Sequence, residues 1–213
     1  MALDYPVGEA LYAAKSNLAN YDDGCWMMNL MDFNLYGDPS LSLNNKVNLN
    51  KKIFINYLPY NIEIPGYYIL NTSCENLTTT AITIDANNVV LDGNGHILDR
   101  NTTNWHWKCG IYVNNHKNIT IKNLAVKGFD EGIYLGSSSN NTITNVNVSI
   151  NYGDGIILNT SFNNNITNNN FNNCGLCIWK SYHNTIKNNT VNGKPLVYLE
   201  NEKDKVIDNA GQL

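Results

Sequence analysis

Three groups of residues in this chain have the types and spacing for chemistry. Asp130 and Glu131 stand immediately before Gly132, and Asp154 immediately before Gly155. If successive strands stack, Glu131 and Asp154 become neighbours at roughly 5 Å. Close carboxylates can share a proton, hold Ca²⁺, or serve as acid and nucleophile on a sugar. The competing reading is turn chemistry, where Asp or Glu before Gly shapes a corner and does nothing more. Trp105, His106 and Trp107 form an aromatic run suited to stacking on a sugar face and hydrogen bonding to its hydroxyls, with packing as the competing use. Cys174 and Cys177 make a lone CxxC, with His183 the nearest imidazole. A zinc site would need a second pair or histidines at the usual spacing, and none stands there. His106 and Cys109 are further side chains of metal-ligating type.

These residues must be positioned by a repeat that fills the second half of the chain. One repeated word is Gly-apolar-x-apolar, starting at Gly110, Gly132, Gly155 and Gly175; the other is Ile-x-Asn, starting at Ile121, Ile143, Ile166, Ile186 and Ile207. Each Gly precedes the next Ile anchor by 11 positions, and Leu196 keeps the same 11 to Ile207. A period near 20 residues with short β-type words predicts a solenoid of stacked coils. Val126, Val148, Phe171 and Val191 follow the Asn by three positions, giving each coil a third apolar edge. Three edges with no helical pattern between them predict a parallel β-helix of about six coils. The Asn column 123, 145, 168, 188, 209 is expected to stack at a turn as a ladder hydrogen-bonded to itself and to the backbone. All length variation falls between the third edge and the next Gly, where function on a rigid scaffold usually lives. Tyr112, Tyr134, Ile157, Cys177 and Tyr198 fall on outward positions and form a stripe. That stripe would either bind a polymer or be covered by residues 1 to 52.

Composition narrows the classes. Of 213 residues, 15% are charged and the net charge is −4, so there is no basic footprint for nucleic acid. No run of 18 apolar residues exists, so no membrane span is expected, and Met1-Ala2-Leu3-Asp4 does not start a signal peptide. Five scattered Cys argue against a disulfide framework. Asn is abundant, with 41 in the chain, which makes Asn-x-Ser/Thr triplets weak glycosylation evidence.

From about Ile64 onward the sequence resembles the NosD-like right-handed parallel β-helix repeat proteins of carbohydrate-binding or sugar-hydrolase type. Pro65-Gly66-Tyr67-Tyr68, Leu91-Asp92-Gly93-Asn94-Gly95-His96, Gly132-Ile133-Tyr134-Leu135 and Gly193-Lys194-Pro195-Leu196 carry the resemblance. It implies a right-handed helix, an extracellular or envelope location and, by the family's naming, a link with copper. Residues 7–21 have a helical apolar stripe at Leu11, Ala14, Leu18 and Tyr21. With Asn34-Leu35-Tyr36-Gly37-Asp38-Pro39-Ser40, this opening resembles the C-terminal end of a gingipain-type (C25) peptidase domain. The peptidase core is missing and Cys25 has no nearby His, so no peptidase activity is expected.

The sequence thus predicts an all-β fold, a three-sided right-handed parallel β-helix with a short helical N-terminal appendage. Residues 1–44 form the remnant or cap, 45–63 a linker with a leading strand, and 64–213 the repeats. Two function classes remain open, with copper binding as a further alternative. One is a non-catalytic surface or envelope module that binds carbohydrate or acts as a rigid stalk. The other is a glycan-active lyase or hydrolase using Glu131, Asp154 and Asp130. No cofactor is required by the first, whereas Ca²⁺ or copper would suit the others. Expected partners are a carbohydrate or cell-surface polymer. A bare last coil at Ile207-Asp208-Asn209 would also invite end-to-end self-association.

Overall fold

A computed structural model describes residues 51–100 and 107–213. The chain divides into Met1–Asn45 and Lys46–Leu213, and all described residues belong to the second unit. The helix expected at 7–21 and the peptidase-like stretch lie outside them.

The described chain is β-structure throughout. The first coils contain β1 (Lys52–Ile55), β2 (Tyr60–Ile62), β3 (Gly66–Leu70), β4 (Ile82–Ile84), β5 (Val89–Asp92) and β6 (Ile97–Asp99). The middle holds β7 (Cys109–Asn114), β8 (Thr120–Lys127), β9 (Glu131–Gly136), β10 (Thr142–Ser149), β11 (Ile156–Asn159), β12 (Asn165–Thr167) and β13 (Asn170–Asn172). The last turn adds β14 (Leu176–Trp179), β15 (Thr185–Lys187), β16 (Thr190–Val191) and β17 (Lys194–Pro195). One side of the coil is the six-stranded sheet β14-β11-β9-β7-β4-β2, here called the long face. The other two sides share a sheet because β8 and β10 run through the corner between them. In the next coil that corner separates β12 from β13. Apart from β16–β17, neighbouring strands pair in parallel, so this is the expected parallel β-helix of about six coils.

The repeat words set the register. The first word stacks Ile111 on Ile133, Ile156 and Leu176, and the second stacks Ile121 on Ile143, Ile166 and Ile186. These side chains and the Val126, Val148, Phe171, Val191 column point inward and are buried. Burial of such columns is the main stabilising term of a solenoid, since each coil alone has no closed core. The leading strand expected within 45–63 is in fact two strands. β1 pairs with β3 and β2 with β4, so residues 52–62 already form sides of the first coil.

The Asn ladder is displaced from its expected column. Asn145, Asn168 and Asn188 are exposed, with φ of 54°, 57° and 56°. They are left-handed corner residues, a conformation that Asn tolerates better than most residues. A left-handed residue resets the in-out alternation, so counting by two from the Ile anchor fails at the corner. The buried ladders lie elsewhere. Asn141, Asn164 and Asn184 stand two residues before their Ile anchors; the Ile119 N–H donates to Asn141 Oδ1 (2.9 Å), Asn141 N–H to Asn164 Oδ1 (2.9 Å), and Asn164 N–H to Asn184 Oδ1 (2.8 Å). Asn169 and Asn189, one residue beyond the expected column, form a second ladder. Ser138, Ser161 and Ser181 form a third, each hydroxyl accepting from a backbone N–H one coil earlier. Together they satisfy corner amides that would otherwise be buried without partners.

The last expected coil does not form. Asn192 (φ 50°) and Gly193 (φ 77°) make a two-residue turn that sends β17 back antiparallel to β16. Asn-Gly is the favoured pair for such a turn because both residues must be left-handed. Ile207 is 38% exposed and Asn209 is exposed, so neither extends its column. The edge of β14 is not wholly bare. Gln212 lies beside it, its Nε2 donating to Leu176 O (2.6 Å) and its Oε1 accepting from Leu176 N–H (2.9 Å). This side-chain amide takes the place of the next strand's peptide. Beside it is an apolar cleft of about 500 Å³ lined by residues including Leu176, Ile178, Leu196 and Tyr198.

Candidate functional site

Register along the long face decides which side chains point out. Asn61, Thr83, Tyr112, Tyr134, Ile157 and Cys177 follow one another in a single outward column. Tyr198 does not continue it, because β17 turns away; its ring packs against the core and its hydroxyl donates to Glu200 (2.9 Å).

The Tyr112 and Tyr134 rings are parallel within 7°, with centroids 5.3 Å apart. Trp107 lies across both, at 5.9 and 5.4 Å, its plane nearly perpendicular to each. Edge-to-face and offset contacts at these distances are favourable. Trp107 is half exposed and has φ 51°, unusual for so bulky a residue. Tyr134 is fixed from the other side: Asn159 Nδ2 donates to its hydroxyl (3.0 Å), and its ring tip leans over Gly136. A Cβ at position 136 would meet Tyr134 Cε1 at 2.6 Å, so the glycine is needed for this close approach. Trp105 and His106, expected to join Trp107, lie outside the described residues.

The acidic column assembles as the spacing predicts, but its members differ in environment. Cys109 is paired in register with Glu131, and Gly132 N–H donates to Asp154 O (3.0 Å), which places Glu131 and Asp154 on successive coils. Glu131 is buried, and its Oε2 accepts from the Asp154 backbone N–H (2.8 Å). Burial pushes the Glu131 carboxyl above the ordinary glutamate value, opposed by that hydrogen bond and reinforced by the charges of Asp154 and Asp130. Asp130 is buried, pairs with buried Arg100 at 3.0 Å, and accepts from Lys108 N–H at 2.7 Å. The ion pair ties Arg100, just beyond β6, to the corner before β9.

The sulfur and imidazole donors are spread around one coil. Cys174 sits at the corner before β14, its thiol directed at Val148 O (3.4 Å). Cys177 points outward from β14; burial pushes its thiol up to about 11, helped by Asp154, which it contacts, and by Glu131. His183 is at the following corner, its N–H donating to both Glu200 oxygens (3.1 and 3.0 Å). Cys109 is likewise held as a thiol, pushed up to about 12 by burial and the nearby Glu131 and Asp130. Among the described residues no three His, Cys, Asp or Glu side chains converge closely enough to hold a metal.

Sequence reading missed two parts of this arrangement. It did not pair Trp107 with the tyrosine stripe, because a loop residue's contact across strands leaves no periodic trace. It also missed the bracing of Tyr134 by Asn159, although Asn159 stands two positions past outward Ile157 and could have been found by extending the alternation.

The fold is thus a parallel β-helix with an outward aromatic cluster. A family model described as "Periplasmic copper-binding protein (NosD)" matches residues 43–210. The chain belongs to the NosD family. No curated protein and no solved structure matches it. The family's description names the periplasm, in accord with an envelope location. No helix among the described residues is long and apolar enough to cross a membrane. Among the described residues, Cys174 directed at Val148 O, Cys177 in contact with Asp154 and His183 beside Glu200 do not converge, so they do not fit the copper of that description.

Proposed function

We propose that this β-helix is a non-catalytic envelope module that binds carbohydrate on its long face. The observation that carries this reading is Trp107, half exposed and held across the stacked Tyr112–Tyr134 pair. A rigid aromatic surface offers its face to the C–H side of a pyranose at little entropic cost. Asn114 and Asn159, next outward from Val113 and Leu158, supply amides at the rim for sugar hydroxyls. The carboxylates favour the non-catalytic reading. Asp130 is tied to Arg100, and Glu131 is turned into the backbone of the following corner. A hydrolase or lyase needs its acid and base open to the substrate.

A glycan array run beside a reducing-sugar assay tests this directly. The parent protein should bind without releasing reducing ends, and Trp107→Ala should weaken binding at least tenfold. Unchanged binding by Trp107→Ala would overturn the reading. So would turnover that disappears in Glu131→Gln. Metal analysis of protein purified without a histidine tag completes the set, and stoichiometric copper would favour copper binding instead.

A further inference from the structure

The long face carries more than the Trp107 cluster. At its N-terminal end a cleft of about 300 Å³ is lined by Tyr57, Pro59, Tyr60, Asn61 and Glu63. Tyr57 is 67% exposed and braced edge-on by Tyr60, with centroids 5.5 Å apart. At the other end Trp179 is 61% exposed; its register runs back through Asn159 and Gly136 to Asn114. The Tyr57 cleft, the Trp107 cluster and Trp179 therefore succeed one another along the helix axis. Asn61 is two strands from Tyr112, and Tyr134 is two strands from Cys177, the strand neighbour of Ile157.

We propose that this face binds a linear, unbranched glycan of neutral or amino sugars laid along the helix axis. The chain would be contacted at three aromatic subsites, from Tyr57 through Trp107 to Trp179. This inference rests on the carbohydrate reading above and names its ligand class. Parallel strands are spaced about 4.8 Å apart, close to the advance of one pyranose in an extended β-linked chain. From the strand of Asn61 to that of Cys177 the face accommodates about five such sugars, with an aromatic group at about every second one. Charge selects among linear glycans. Glu63 and Asp154 border the face, while the outward column itself is uncharged. A cation on this face is Lys180, whose Nζ sits 5.9 Å from the Trp179 ring. At Glu63 and Asp154 a polyuronate would meet like charges, whereas an amino sugar would meet opposite ones.

Calorimetric titration with dimers, tetramers and hexamers separates the possibilities. The ligands are β-1,4-linked N-acetylglucosamine and glucosamine, and α-1,4-linked galacturonate. Affinity for the first two should rise at least tenfold from dimer to hexamer, and hexagalacturonate should bind at least tenfold more weakly. Tyr57→Ala and Trp179→Ala change exposed side chains and should each remove much of the length dependence. Length-independent binding that still requires Trp107 would overturn the extended path and leave the Trp107 reading standing. Hexagalacturonate bound as tightly as the amino-sugar hexamers would overturn the charge selection. Failure of every oligosaccharide to bind would remove both readings.

Discussion

The middle coils and the last turn of this β-helix use the same two words, yet their strands end in different ways. Between β7 and β13 every inward column continues on both sides. Backbone N–H groups at the corners find Asn or Ser acceptors one coil on, and the apolar edges are fully buried. Beyond β14 the words persist through Ile207-Asp208-Asn209, but Asn192-Gly193 has already turned the chain back. The side-chain amide of Gln212 stands in for a strand, and Ile178 is only partly buried. A repeat therefore specifies a coil only while a neighbour buries its columns. One strong local turn ends the stack even when the pattern continues.

That contrast can be broken most severely at the Ile anchors. Ile166→Ala, in a column filled on both sides, should destabilise by about 3–4 kcal/mol through lost burial and a cavity. Ile207→Ala, in the copy that does not stack, should cost under about 0.5 kcal/mol. Equal losses in denaturant unfolding would place Ile207 in the core and refute the early end of the helix.

Neighbouring asparagines give a finer test within one corner. Asn169→Leu leaves the Val146 N–H without its acceptor and Ile143 O without its donor, and should cost about 2–3 kcal/mol. Asn168→Leu forces a side chain into a left-handed corner and should cost about 1 kcal/mol. The same smaller cost is expected at Asn145. If the two costs were reversed in thermal melts, the ladder would belong to the Ile-x-Asn column after all.

At the last turn, Gln212→Ala removes two hydrogen bonds at an edge open to water, so the expected loss is only about 1 kcal/mol. Its signature should be local: faster amide exchange at Leu176 with little change at Ile133. Uniform acceleration through the middle coils would mean that Gln212 supports the whole stack.

The pH responses of the two regions should have opposite sign. Glu131 has a folded value raised above 4.5, so its contribution is complete in acid and declines as pH rises through that folded value. Glu200 has a folded value lowered below 4.5, chiefly by the His183 N–H and the Tyr198 hydroxyl. Its contribution is present above 4.5 and is lost as pH falls through the lowered value. Glu131→Gln should therefore gain stability relative to the parent as pH rises above 4.5, while Glu200→Gln should lose stability relative to the parent as pH rises toward 4.5 from below. Parallel trends in stability against pH would contradict the two environments.

Much of the scaffold was legible because stacking repeats writes contacts into spacing. Equal intervals from Gly to Ile became equal registers, and the third apolar edge became the third side. The site was legible only in part. The acidic column and the outward tyrosines follow from register, so both could be counted out. The tie between Asp130 and Arg100 spans 30 residues and crosses a variable loop, where no spacing rule applies. The packing of Trp107 on the tyrosines escapes for the same reason.

What the sequence by itself determined is the period, the inward columns and the order of side chains along the long face. Those depend on the alternation of a strand and on hydrophobic burial, which act locally and repeat. Only the tertiary structure decided which Asn is a ladder rung and which a left-handed corner, where the helix stops, and which carboxylate is spent on an ion pair. Each depends on the backbone of another coil: whether an N–H one layer away needs an acceptor, whether an edge has a partner, and whether a buried charge finds its opposite.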